Sequence, residues 1–131
     1  MREILFRGKC LFTGEWVYGS YLPDTDTLDE NTAYILTYEL NDPDYVYEKV
    51  DLPTVGQYTG LKDKNGKKIF EGDVFTVSAY GWVAVVEWDE ENARYLGRLT
   101  TGNICYVGRE PRVEVIGNIH DNADLIKIDE I

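Results

Sequence analysis

Large apolar residues recur at every second position through most of this chain, the period of a strand with one buried face. Ile4 and Phe6, then Trp16 and Tyr18 across Thr13-Gly14, predict an opening hairpin. The β-rich stretch AYILTYEL (33–40) stops at Asn41-Asp42-Pro43, a turn signal, and DYVYEKV (44–50) alternates again. PDTDTLDENT (23–32) reads as a polar loop. Past Pro53, TVGQYTGL leads into Asn65-Gly66, the strongest short hairpin signal, because both central residues of a type I′ turn need positive φ. Glu71-Gly72-Asp73 is a second turn, and it launches VFTVS (74–78). GWVAVVEW (81–88), ARYLGRLT (93–100), ICYV (104–107) and RVEVIGNI (112–119) follow, separated by turn residues. Short strands at this spacing predict a small barrel.

The pattern therefore predicts a mainly β protein. An N-terminal β-sheet portion, residues 1–55, leads through a connecting segment and hairpin tip, 56–66, into a small SH3-like five-stranded β-barrel, 67–119. The C-terminal tail, 120–131, has room for one short helix within DNADLIKI, capped by Asp121 or Asn122.

Composition agrees with this picture. At 131 residues and 44% apolar content the chain can bury a core, and ten Tyr and three Trp favour a pleated surface. Arg2, Glu3, Arg7 and Lys9 interrupt the opening apolar run, so no secretory leader is expected, and no stretch reaches the ~20 apolar residues of a membrane span. Cys10 and Cys105 are too few for a disulfide framework or a zinc site, and their apolar neighbours mark them as small core residues.

Charge changes the functional picture more than the fold. The net charge is −11, and residues 24–51 carry nine acids against the single base Lys49. Such a total repels phosphate at long range and disfavours indiscriminate nucleic-acid binding. Positive islands remain at Lys62–Lys68 and at Arg94, Arg98, Arg109 and Arg112.

The lysine island sits in YTGLKDKNGKKIFEGDVFTV (58–77), which superficially resembles a phosphate-binding loop. That loop needs four residues between its glycines, a hydroxyl after Gly-Lys, and a helix behind it. Here five residues separate Gly60 from Gly66, Lys68 replaces the hydroxyl, and a strand is expected next. The stretch reads as a hairpin whose lysines discourage edge-to-edge association.

Catalytic groups are scarce. His120 is the only histidine, no motif joins it to Cys10, Cys105, Ser20 or Ser78, and no nucleophile elbow is present. Asp24, Asp26, Asp29 and Glu30 resemble the start of a calcium loop, but its glycine and its distant glutamate are replaced by Asp29 and Ile35. Glu71 and Asp73, with Glu87 and Asp89, are expected at opposite ends of a hairpin, too far apart for a shared acid–base or two-metal site. No enzyme activity, cofactor or metal is expected. The candidate contact residues for a partner or nucleic acid are Arg94, Tyr95, Arg98, Tyr106 and Arg109, aromatics interleaved with arginines.

MREILFRGK with GEWVYG, the central VGQYTGLKDKNGKKIFEGDVF, VVEWDEE and the ending VEVIGNIHDNADLI resemble the YopX family of phage and prophage proteins. The resemblance implies a phage or prophage origin, a small mainly β fold with a barrel-like C-terminal part, and self-association. It implies no activity and no catalytic residues, and His120 stands where the family has a tyrosine. The sequence thus points to a non-enzymatic accessory protein of the bacterial cytoplasm that binds a protein partner. The alternatives are an acidic decoy imitating DNA, a nucleic-acid-binding barrel, or a metal-dependent hydrolase.

Overall fold

The computed structural model describes residues 3–25, 31–37, 46–77, 81–107 and 113–126. The chain is mainly β and divides by internal packing into two units, residues 1–58 and 59–131.

The first unit is built on β1 (Phe6–Cys10), β2 (Trp16–Pro23), β3 (Thr32–Thr37) and most of β4 (Val46–Lys62). All pairings are antiparallel, and β1 pairs with β4 as well as with β2, so the four strands join in a ring. The predicted opening hairpin forms: Phe6 lies opposite Gly19, and Lys9 opposite Trp16. Alternate residues of all four strands face inward, and Ala33, Ile35 and Val50 are buried among Phe6, Val17, Tyr21, Leu52 and Val55.

β4 continues well past Val50, although Pro53 argues for a strand end. The register explains this. Arg7 pairs with Gly56 and Lys9 with Asp51, so residues 52–55 of β4 bulge opposite the single residue Gly8. A bulge is where a proline can sit within a sheet, because no ladder bond asks for its missing N–H. The Thr54 hydroxyl stitches the bulge closed, accepting from Lys9 N at 2.9 Å and donating to Asp51 O at 2.5 Å.

The end of β4 turns through the lysine-rich tip into β5 (Lys68–Phe70). The tip is a hairpin but not the expected type I′ turn. Gly66 has φ of 80°, whereas among described non-glycine residues only Ala93 is positive. Gly66 N donates to Asp63 O and Asp63 N to Lys67 O, the pattern of a type I turn followed by a left-handed glycine. Asp63 decides the outcome, since its carboxylate accepts from the N–H groups of Asn65 and Lys67, both at 2.9 Å.

In the second unit β6 (Asp73–Val77), β7 (Trp82–Asp89), β8 (Arg94–Leu99), β9 (Ile104–Cys105) and β10 (Val113–Asn118) form a five-stranded antiparallel sheet in the order β10–β6–β7–β8–β9. The expected strands are present. Ring-like pairing, expected in this part, belongs among the described residues to the first sheet. Ile69, Phe75, Val77, Ala84, Val86, Val107 and Val113 make the core, with Tyr95, Leu99, Cys105 and Val115 packed against it. Among the described residues the predicted tail helix is a single 3-10 turn, Ala123–Ile126. Just before it, Asn122 spends its side-chain oxygen on Asn118 N.

Candidate functional site

The β7–β8 hairpin places the candidate residues by parity. Asp89 lies opposite Arg94, Glu87 opposite Leu96, and Val85 opposite Arg98. Side chains alternate between faces, so these six share the face opposite the Phe75 core, on which Leu96 is nonetheless buried. Trp88 and Tyr95, the intervening pair, turn to the core side, where their rings meet edge-on at 4.9 Å.

Charges on the outer face are matched across the hairpin. Arg94 Nε donates to Asp89 Oδ2 at 3.1 Å, and Arg98 pairs diagonally with Glu87 at 3.3 Å while donating to Gly102 O. The Asn92 amide, and then the Arg94 guanidinium, hold the Asp89 carboxyl below its ordinary value. Asp89, and then Tyr106, push the Arg94 guanidinium above its own. The Arg94 guanidinium also lies 5.5 Å from the Tyr106 ring centroid, within cation–π range.

Of the five predicted contact residues, the structure thus gathers Arg94, Arg98 and Tyr106 around one surface, with Tyr106 51% exposed and Ile104 45% exposed beside them. Tyr95 sits one position from Arg94 and points to the core. Arg109 lies outside the described residues, as does Arg112.

Elsewhere the chemistry is structural. Glu71 and Asp73 do not lie at the opposite end of the β6–β7 hairpin from Glu87 and Asp89, as the sequence suggested. Val74 pairs with Val85 and Val77 with Trp82, so the first residues of β6 and the last of β7 share the open end. They still do not form a site. Asp73 is 1% exposed and accepts from Phe70 N at 2.7 Å, while Glu87 and Asp89 are on the other face, paired with arginines. His120 N donates to Asn118 Oδ1 in a tight turn, and its ring lies over Gly72. Cys10 is buried and Cys105 half-buried, both free. Asp24 accepts from Thr32 Oγ1 at 3.0 Å; Asp26, Asp29 and Glu30 lie outside the described residues. Among the described residues no group of three His, Cys, Asp or Glu side chains could hold a metal, and no helix is long and apolar enough to cross a membrane.

Two clefts flank the Glu87–Arg98 pair. One, of about 470 Å³, is floored by Val85, Ile119 and Ile126; the other, of about 460 Å³, is lined by Asp89, Glu90, Glu91, Leu96 and Ile104. Sequence reasoning gave no sign of the first, because Ile119 and Ile126 come to β7 only through the tight turn after β10.

Residues 5–127 match the family described as YopX protein, which covers both units and the whole outer face. The chain belongs to the YopX family. No curated protein matches it. The crystal structure of protein EF1440 from Enterococcus faecalis is similar over 97% of this chain and 100% of that one, with a TM-score of 0.59 and 21% identity. At that identity the likeness extends to the fold alone. YopX membership brings no activity with it, so function has to be argued from the outer face itself.

Proposed function

We propose that this YopX protein is a non-enzymatic phage or prophage accessory protein that binds a protein partner through the outer face of β7, β8 and β9. One observation carries the reading: each arginine of this face is engaged by a carboxylate of the same face, Arg94 by Asp89 and Arg98 by Glu87. A nucleic-acid surface needs cations free to neutralise phosphate. A protein-binding patch instead combines exposed aromatic and aliphatic groups with arginines and little net charge, as Tyr106, Ile104 and the two ion pairs do.

The reading places the protein in the bacterial cytoplasm, in keeping with its two free cysteines. It takes the second unit as an SH3-like module and allows self-association beside the partner contact. The decoy alternative draws most of its charge from residues outside those described, and nothing on the described surface favours it.

Affinity capture from host lysate, with and without nuclease, tests the reading. The expected result is a stoichiometric protein partner that survives nuclease and is lost with Tyr106→Ala. Recovery that collapses on nuclease treatment, or a partner indifferent to Tyr106, would overturn it.

A further inference from the structure

Building on that reading, we infer that the partner segment received by the outer face is an extended peptide carrying an apolar anchor and a basic side chain four positions apart. The anchor fills the Val85–Ile119–Ile126 cleft, and the basic group reaches the acidic cleft at the β7–β8 loop.

The two clefts are contiguous, because Glu87 and Arg98 line both. Their chemistries differ. The first has a floor of branched aliphatic side chains and about 470 Å³ of space, room for one large apolar group. The second is lined by the acids Glu87, Asp89, Glu90 and Glu91 against two arginines, an excess of two negative charges. Arg94 and Arg98 are spent on Asp89 and Glu87, so the excess resides on Glu90 and Glu91, which make no ion pair among the described residues. A cation is the complement of that end; an anion or a neutral group is not.

Spacing follows from β7 itself. Val85 and Asp89 are four residues apart on one strand and share a face, so their side chains stand about 13 Å apart. An extended segment laid along β7 presents side chains of the same parity at the same interval, and its i and i+4 residues meet the two clefts in register. A partner with the apolar group alone would bury it and leave Glu90 and Glu91 unanswered. One with the basic group alone would gain only an exposed, salt-screened contact. Selectivity comes from the combination.

A random nonapeptide library, selected by mRNA display on the full-length protein and in parallel on the Glu90→Lys/Glu91→Lys variant, tests this. Both substitutions are in an exposed loop, so the variant should fold, and its circular dichroism and unfolding midpoint check that it does. Expected are enriched peptides with Leu, Ile, Phe or Met four positions from Lys or Arg. The most enriched should bind the variant at least tenfold more weakly and shift the amide resonances of Val85, Thr101 and Ile119. No enrichment, enriched peptides without a basic residue, equal affinity for the charge-reversed variant, or shifts elsewhere would each overturn the inference. Self-association abolished by Glu90→Lys/Glu91→Lys would overturn it too, by making a second copy of the chain the occupant. A lysate partner lost with Tyr106→Ala but kept by the charge-reversed variant would sink the inference while leaving the binding-module reading intact.

Discussion

The Asp63 carboxylate accepts a hydrogen bond from the backbone N–H of Val115 at 3.0 Å, across 52 residues of sequence. With its other oxygen on Asn65 N and Lys67 N, this side chain both shapes the hairpin tip and fastens it to β10. Lys64 N completes the contact by donating to Val113 O. Among the described pairings β10 is an edge strand, bonded on one side to β6 alone. The tip thus occupies donors and acceptors that would otherwise invite another strand.

Asp63→Ala should lower unfolding stability by about 2 kcal/mol, because it orphans three backbone donors around a mostly buried site. Urea unfolding measures this. Partial burial pushes the Asp63 carboxyl up, but the amides of Val115, Lys67 and Asn65, with the Lys67 charge, together outweigh it and hold the group below its ordinary 3.8. A carboxyl depressed in the folded state contributes in full above the unfolded value and loses that contribution as pH falls through the folded one. Wild-type stability should therefore drop below pH 3.8, and the Asp63→Ala variant should show a shallower drop.

Ala93→Gly should stabilise the protein by up to about 1 kcal/mol. Ala93 sits at φ of 51° in the β7–β8 turn, where a Cβ costs energy that glycine avoids. A rise in the thermal midpoint is expected; a fall would mean that the added freedom of the unfolded chain dominates.

Gly97→Ala should destabilise by about 1–3 kcal/mol, the usual range for overpacking a filled core. A Cβ at this position would come 2.6 Å from Phe75 Cζ and 2.7 Å from Cys105 Sγ. Neither neighbour can withdraw freely, since Phe75 is fully buried and Cys105 packs on the same core. Pairing the substitution with Cys105→Ala should recover part of the loss, which a double-mutant cycle would reveal.

Freeing the arginines should create what the wild-type face lacks. Glu87→Gln with Asp89→Asn removes the ion-pair partners of Arg98 and Arg94, brings the cleft from an excess of two negative charges to balance, and frees both guanidinium groups beside Tyr106. Fluorescence anisotropy with a single-stranded oligonucleotide at low salt should show weak, steeply salt-dependent binding by the variant and none by the wild type. Equal binding by both would undo the argument that the ion pairs disfavour nucleic acid.

Period-two patterning made the strands legible, because a sheet with one buried face writes its geometry into alternate residues. Three features escaped it. The run of β4 from residue 50 through Pro53 was not legible because a bulge depends on the partner strand, which pairs Lys9 and Arg7 with residues five apart. Asn65-Gly66 looked like a type I′ turn because the competing hydrogen bonds come from a side chain two residues earlier. Tyr95 looked like a surface aromatic because adjacency to Arg94 was read as proximity, whereas neighbours on a strand face opposite ways. The site was legible only in part for a related reason. Arg94, Arg98 and Tyr106 could be picked out as residue types, but their neutralisation by Asp89 and Glu87 depends on the register between two strands.

The ring in the first sheet has a consequence for synthesis. Cys10 pairs with Val50 and Phe6 with Gln57, so β1 begins to acquire its second neighbour only when the chain forty residues further on has been made, and completes that pairing still later. Until Val50 and the residues after it clear the ribosome, β1 holds β2 alone and the ring stands open, exposing backbone groups that the finished protein conceals. Closing so long a loop is entropically costly, and a nascent chain stalled before this point would be the form most open to proteases and to stray strand pairing.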